Sequence, residues 1–305
     1  MSKKVEAVPQ SDEKYVEALR NDFPDIEVSR LEHLGSGWDS VAMLINEELV
    51  FRFPRELFEK GGKVKTEITE REIKILRWLG KKNLAFEIPN PGYVAPGNKY
   101  FGYRLLPGIL WSEAPDQPSS TDEFLRSWVS TREGLAEAIK PSDAPRLGIK
   151  SYGGDKNIVL SKKYLKDPRA GKEEKRLVNE AIKIVETKLP DQDTWRFIHQ
   201  DLQPKNCLLD PRSYLINGVL DFGDAEIGPV EADYAFWGKW HDNTLQRLAD
   251  IQADLGYDLD LQLVTSLQLL YFASDFMELH ERGFSESAEG KAEHLRWYVE
   301  NWGEL

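Results

Sequence analysis

β-Branched, aromatic and other apolar residues cluster at 27–34 and again at 41–53, with a glycine-rich turn between the two stretches. This pattern predicts a hairpin followed by a third strand over 49–53, with Asn46-Glu47-Glu48 as the second turn and Pro54 as the stop. Between 66 and 79 the period changes. Ile68, Ile73, Ile75, Leu76 and Leu79 recur at near-helical spacing, so a helix is expected there, ended by Gly80. Proline and glycine punctuate 89–98, and a strand over 100–106 then runs to Pro107-Gly108, a natural link between lobes. Beyond 119 the pattern is mainly helical, interrupted by a strand pair at 206–210 and 216–221. The stretch 143–170, rich in glycine, lysine, proline and aspartate, reads as an irregular insertion. The expected class is α+β, with a smaller β-rich lobe over residues 1–106 and a larger, mainly helical lobe over 107–305.

Composition narrows the setting. Hydrophobic residues make up 41% of the 305 positions and aromatics 11%, with nine tryptophans, which is enough to bury a substantial core. No apolar run approaches the roughly 20 residues that cross a bilayer. The start, Met1-Ser2-Lys3-Lys4-Val5-Glu6, lacks the apolar core of a signal peptide. The single cysteine, Cys207, excludes an internal disulfide framework and fits a reducing compartment; it reads as a buried small hydrophobe rather than a nucleophile. The chain is therefore expected to be a cytoplasmic monomer.

Charge changes that picture in one respect. The formal net charge of -12 argues against nucleic acid or an anionic membrane as partner. From Asp221 to the C-terminus there are 18 acidic against 5 basic residues, whereas the preceding 220 residues are nearly balanced. Most of these carboxylates read as solvated helix faces. A few of them lining a cleft would attract a cationic small molecule.

The densest chemical signal is Ile198-His199-Gln200-Asp201-Leu202-Gln203-Pro204-Lys205-Asn206, followed by Asp221-Phe222-Gly223, with Asp221 15 residues after Asn206. Phosphoryl transfer needs an acceptor hydroxyl relieved of its proton, a nucleoside triphosphate held in line, and charge neutralisation by metal. Asp201 can accept the proton. The amide oxygen of Asn206 and the carboxylate of Asp221 are the hard oxygen ligands that Mg²⁺ prefers. A short hairpin would bring the second ligand back beside the first, and His199 would prop the loop through hydrogen bonds. Gly35-Ser36-Gly37, between two strands, lets backbone N–H groups approach phosphates. It is no Walker loop, since no G-K-[ST] follows, and strand rather than helix follows it.

These segments resemble the aminoglycoside phosphotransferase family, part of a wider group of kinase-like enzymes acting on antibiotics, choline and related metabolites. The run Asp221-Phe222-Gly223-Asp224-Ala225-Glu226-Ile227-Gly228-Pro229 with Asp233-Tyr234 is similar to the family's D-F-G-D-A-x-I-G-D-P…D stretch. The acidic residue before the proline is missing, and Gln200 stands where the family commonly has glycine. Gly35-Ser36-Gly37-Trp38-Asp39-Ser40 resembles the loop of members that modify the double-primed ring of aminoglycosides. The resemblance implies a bilobal protein-kinase-like fold with ATP or GTP as donor and Mg²⁺ as cofactor. By register in Phe51-Arg52-Phe53-Pro54, Arg52 takes the place of the phosphate-holding lysine of protein kinases, a swap that guanidinium chemistry permits. Glu72 is its partner by register, with Glu67 and Glu70 as competitors. The segment from Phe101 to Gly108 matches the hinge, where the backbone around Tyr103 and Leu105 would meet the nucleotide base.

The acceptor is less constrained than the donor. Aminoglycosides carry several ammonium groups and need a carboxylate-lined pocket, which the acidic C-terminal quarter and Asp224 would supply, with Gln200 as a further substrate contact. This implies a role of the antibiotic-resistance type. A macrolide, choline-like compound or sugar is the alternative, since macrolides favour apolar walls and quaternary amines an aromatic cage. The aromatic groups at 234–240 and 271–276 read mainly as core, with room for one ring to stack on a substrate. A protein kinase is disfavoured because no A-P-E follows D-F-G and Phe222-Gly223 runs almost directly into helix. A catalytically dead binding module is disfavoured because Asp201, Asn206 and Asp221 are all intact.

Overall fold

A computed structural model of the chain describes residues 12–36, 40–58, 66–114, 118, 121–237 and 243–301. A first helix, α1 (Glu13–Asp22), precedes the strands β1 (Leu31–Ser36), β2 (Ser40–Ile45) and β3 (Leu49–Pro54). Asn46 and Glu47 both take positive φ (55° and 61°), the backbone that a tight two-strand turn demands. Helix α2 (Thr66–Leu79) follows, then β4 (Tyr93–Val94) and β5 (Phe101–Arg104). The five strands form one antiparallel sheet in the order β1-β2-β3-β5-β4. Hairpin, third strand and helix thus lie where the hydrophobic pattern predicts them, and α2 ends at the expected residue.

The sheet is covered on both faces. On one side α1 presents Tyr15 and Leu19, which pack with Met43, Phe51, Phe53 and Tyr100, and it buries Val16 as well. The sequence reading did not call α1, because three clustered apolar positions in a polar N-terminal stretch give little periodic signal. On the other side α2 buries Ile73, Ile75, Leu76 and Leu79 in a core shared with the helical lobe.

That lobe begins with the short β6 (Ile109–Leu110) and α3 (Asp122–Ala138), capped by the Thr121 hydroxyl accepting from the Phe124 N–H. Then come α4 (Ala144–Leu147), β7 (Lys150–Ser151), α5 (Gly154–Tyr164) and α6 (Lys172–Lys188). The stretch expected to be irregular is therefore largely ordered. Helix α5 docks on the lobe through Ile158 and Tyr164, with the following Leu165 and the buried Ser161, whose hydroxyl donates to the Leu270 carbonyl at 3.2 Å; Tyr164 also donates to Glu174 at 2.7 Å. So short an apolar stripe, among lysines and glycines, gives little periodic signal, and the hydrogen bonds give none.

Strands β8 (Arg196–Ile198), β9 (Cys207–Leu209), β10 (Ile216–Val219) and β11 (Glu226–Gly228) build two small sheets, ordered β10-β9-β6 and β7-β11-β8. Strand β11 is a second correction. A strand, not a helix, follows Phe222-Gly223, and α7 (Glu231–Tyr234) comes only after it. Helices α8 (Thr244–Asp254), α9 (Leu261–Glu281) and α10 (Ser285–Asn301) close the lobe. The central α9 is buried nearly all round, against α5, α6 and α10. Among the described residues no helix is long and apolar enough to cross a membrane.

Candidate active site

Strand β8, with Phe197 and Ile198 buried, delivers the chain to His199-Gln200-Asp201. The turn there is left-handed, with Gln200 at φ 68°. An L side chain at such a φ costs on the order of 1–2 kcal/mol, which gives a physical reason for the glycine common at this place in the resembling family. Here the conformation is held from below by Asp233, whose carboxylate accepts the His199 N–H at 3.2 Å and the Gln200 N–H at 2.8 Å. Burial pushes the Asp233 carboxyl above the usual aspartate range, and the buried Arg132, 3.7 Å away, pulls against that shift. The His199 ring braces the loop as expected. Its Nδ1 accepts the Asp201 N–H at 3.3 Å, so Nε2 carries the proton and donates to the Leu220 carbonyl at 3.1 Å.

Donors ring the Asp201 carboxylate. The Asn206 amide nitrogen reaches its Oδ2 at 2.6 Å and Lys205 reaches the same oxygen at 3.0 Å, while Gln203 donates to Oδ1. The Asn206 nitrogen also donates to the Asp201 carbonyl at 2.9 Å. Both bonds fix the amide with its oxygen turned away from Asp201. The Asn206 carbonyl accepts the Leu220 N–H at 2.8 Å, which brings Asp221 alongside. Asp221 itself sits at φ 63°, a strained backbone that aims its carboxylate across the cleft. Next to Asn206, Cys207 is fully buried, and burial pushes its thiol up.

Arg52 occupies the centre of the facing wall. It forms ion pairs with Glu72 and, at 2.8 Å, with Asp221 Oδ1, and it donates to the Ser40 hydroxyl at 3.2 Å. Of the three candidate glutamates only Glu72 meets Arg52; Glu70 pairs with Lys74 at 2.6 Å in solvent, and Glu67 is exposed. Glu72 Oε1 also accepts the Phe222 N–H at 3.2 Å, and Arg71 donates to the Gly223 carbonyl, so α2 clasps the Asp221 turn at two points. One guanidinium thus stands between two carboxylates. Burial pushes the Glu72 carboxyl up to about 7 against the pull of Arg52. Burial also penalises Asp221, but Arg52 outweighs it and holds that carboxyl below the usual range.

The other expected nucleotide contacts are spread around this wall. Gly35 and Ser36 end β1 next to a bulge after His33, and the Ser36 hydroxyl lies 2.7 Å from His33 Nε2. Gly37 lies outside the described residues. Tyr103 is buried in β5 near Arg52 and Glu72, and burial pushes its hydroxyl up. The Leu105 side chain is exposed, while its N–H is taken by the Glu48 carbonyl at 2.7 Å. That leaves Leu105 no backbone donor for a base, only its carbonyl.

On the far side of the Asp201 loop lies a cavity of about 310 Å³, whose walls include Tyr152, Asn157, Gln200, Lys205, Tyr271 and Lys291. Gln200 turns its amide toward Glu226 at 3.2 Å, and burial raises the Glu226 carboxyl. Asp224 is exposed nearby. Tyr152 reaches the cavity because Gly228 lets β11 pass close: a Cβ there would come within 2.8 Å of the Tyr152 Cβ. Of the aromatic groups, Tyr234, Trp237 and Phe276 are buried away from the cavity, whereas Phe236, Tyr271 and the largely buried Phe272 line it; Trp240 lies outside the described residues. Several of the acidic residues of the last quarter are engaged elsewhere, in surface pairs such as Lys156–Glu278, Lys163–Glu281 and Lys188–Asp260.

The sequence reading missed Lys205, Tyr152, Asn157 and Lys291. Lys205 was open to discovery, since it falls four residues after Asp201 inside the motif. Nothing local in the sequence marks the other three.

Among the described residues no group of three or more His, Cys, Asp or Glu side chains is placed to hold a metal. A magnesium ion would instead fit the pair formed by the turned-out Asn206 amide oxygen and the Asp221 carboxylate. Mg²⁺ usually takes one or two protein oxygens and fills its shell with phosphate and water, so this sparse set suits it.

Comparison with known proteins gives the same direction. A sequence profile of the phosphotransferase enzyme family matches residues 30–261. Among solved structures, the GDP complex of wild-type aminoglycoside 2'-phosphotransferase-IIIa superposes with a TM-score of 0.77 at 21% identity, covering 96% of this chain and 99% of that one. A GDP and kanamycin complex of an aminoglycoside phosphotransferase gives 0.74 at 21% identity, covering 95% and 99%. Macrolide 2'-phosphotransferase type I gives 0.73 at 17% identity, covering 94% and 98%. At these identities the likeness is one of fold. No curated protein sequence matches the chain.

Proposed function

The chain belongs to the phosphotransferase enzyme family, and from that premise we propose that it transfers the γ-phosphoryl group of ATP or GTP to a hydroxyl of a small, amine-bearing molecule of the aminoglycoside type. The observation that carries the reading is the meeting of Asp201, Asn206 and Asp221 on one side of a cleft with Arg52 and Glu72 on the other. Arg52 is the phosphate-holding cation, kept protonated by its two carboxylates and able to bind bidentately. Glu72 positions it, and Gly35 and Ser36 at the end of β1 lie toward the phosphates, with Gly37 as a further expected contact. The backbone around Tyr103 and Leu105 receives the base.

Asp201 orients the acceptor hydroxyl and takes its proton as the oxygen attacks phosphorus. Gln203, Asn206 and Lys205 hold its carboxylate in place through the bonds described above. The proton leaves the acceptor oxygen as the new P–O bond forms and the bond to the nucleoside diphosphate breaks. When bound at Asn206 and Asp221, Mg²⁺ supplies neutralisation of phosphate charge. The chain acts as a cytoplasmic monomer in this reading.

Nearby carboxylates favour amines. Asp224 is exposed at the mouth and Glu226 stands behind Gln200. A second reading has its own support: the walls formed by Tyr152, Phe236, Leu267, Tyr271 and Phe272 would also hold the apolar face of a macrolide or a sugar-like alcohol. Nucleotide consumption with ATP and with GTP, in Mg²⁺, across aminoglycosides, macrolides and simple amino-alcohols separates the two. Stimulation by aminoglycosides supports the first reading. Stimulation confined to the other alcohols replaces it with the second, and silence across the panel argues against both.

A further inference from the structure

One cation in the wall of the acceptor cavity belongs to the protein itself. Tyr271 and Asp275 lie one turn apart on α9, and after burial the Asp275 charge is the next cause pushing the Tyr271 hydroxyl up. Lys291 reaches in from α10. Its Nζ is 2.7 Å from Asp275 Oδ2, 4.8 Å from the centre of the Tyr271 ring and 5.7 Å from that of Phe272. Phe272 is in turn stacked on His294, with ring centres 4.7 Å apart and planes at 13°. Two π faces and one carboxylate around an ammonium are the recognition elements for an organic amine. Tyr271, Phe272, His294 and Lys291 all line the same cavity as Gln200 and Lys205, which flank Asp201.

An ordinary surface ion pair would look different. The Lys291 and Asp275 side chains are about three-quarters buried, with 24% and 25% exposure. Long cationic side chains normally lead their charge outward, yet this one turns it toward rings and a cavity. Burial pushes the Asp275 carboxyl up, and Lys291 opposes the shift.

We propose that Lys291 is a specificity-determining residue, whose ammonium fills an amine-binding cage in the wall of the acceptor cavity and obliges an acceptor to present a neutral face there. The proposal rests on reading the cavity as the acceptor site. Amino groups of the acceptor then belong at the mouth, near Asp224 and Glu226, while an uncharged ring enters. Removing Lys291 converts the wall into an open amine subsite.

The test uses the full chain with n-propylammonium chloride as probe, at pH 8 to favour the ionised carboxylate, and sodium chloride at equal ionic strength as control. Lys291→Ala should gain a rise in Tm with propylammonium that wild type lacks, and Asp275→Asn added to it should abolish the gain. A Lys291→Ala protein with unaltered circular dichroism and no such gain overturns the proposal. If Lys291→Ala fails to fold, Lys291→Ser leaves the cage equally open and should show the same propylammonium gain; a folded Lys291→Ser protein without that gain overturns the proposal equally. The Tm measurement needs no turnover. Amine binding by Lys291→Ala in a protein that phosphorylates nothing in the panel would support the cage and refute the acceptor reading alone.

Discussion

The two sides of the Asp201 loop are built differently. Toward the nucleotide, charged groups touch charged groups: Arg52 from β3, Glu72 from α2 and Asp221 after β10 form one cluster that joins sheet to helical lobe. Toward the acceptor, amides, rings and lysines come from α5, the catalytic loop, α7 and its continuation, α9 and α10. On the proposed reading the first set would answer to a phosphate chain whose chemistry is the same for every nucleotide, and the second to one substrate. The contrast teaches that the charged cluster is built from short motifs while the lining of the cavity is dispersed along the chain.

The largest effect is expected where the two sides meet. Asp201→Asn should lower turnover by about 10³-fold, the scale of a lost general base, with nucleotide affinity retained in calorimetric titration. Turnover near the wild-type level would remove Asp201 from the mechanism and leave the two sides without a common centre.

Next in size is stability. Breaking the buried cluster by Arg52→Met leaves Glu72 without its cation and should cost about 3–5 kcal/mol in urea unfolding. Lys205→Ala, across the loop, breaks a pair whose lysine is half exposed and should cost no more than about 1 kcal/mol while raising the acceptor KM. Equal losses of stability would erase the distinction between a structural donor side and an adaptable acceptor side.

A smaller change is expected at Gln200. Gln200→Gly relieves the left-handed strain but adds chain entropy to the unfolded state, so stability should move by no more than about 1 kcal/mol. The acceptor KM should rise as the amide bond to Glu226 is lost. A large loss of stability would mean that the side chain, not Asp233, holds the loop.

The last effect is one of slope. The Glu72 pKa, at about 7, lies above its ordinary 4.5, so the folded chain holds this proton more tightly than the unfolded one. The stability contributed is complete below pH 4.5 and is lost as pH rises through 7. Tm measured from pH 4.5 to 8 should therefore fall less in Glu72→Gln than in wild type. Identical slopes would place the Glu72 titration elsewhere.

The same dispersion governs what could be read from sequence. The hairpin, third strand and α2 follow from apolar period, and the Asp201–Asn206 and Asp221 motifs each carry their chemistry within a few residues. Arg52 and Glu72 belong to no such compact motif, yet each sits in a regular element whose register could be counted. Tyr152 and Asn157 could not be found this way. They lie in the stretch taken as irregular, where α5 offers only a short apolar stripe through Ile158 and Tyr164 among lysines, and its hydrogen bonds through Ser161 and Tyr164 leave no periodic mark. Lys291 meets Tyr271 and Asp275 only because α10 folds back on α9, a tertiary event that leaves no local pattern.

The lone thiol has a practical side. Cys207 pairs with Val219 across the hairpin that carries Asn206 to Asp221, and it is sealed from solvent. A chain with one silent thiol is its own opening clock: a thiol reagent can react only when that hairpin comes apart. The labelling rate thus times the opening of the hairpin between Asn206 and Asp221 without any engineered probe, and a magnesium–nucleotide complex held at those two residues should slow it.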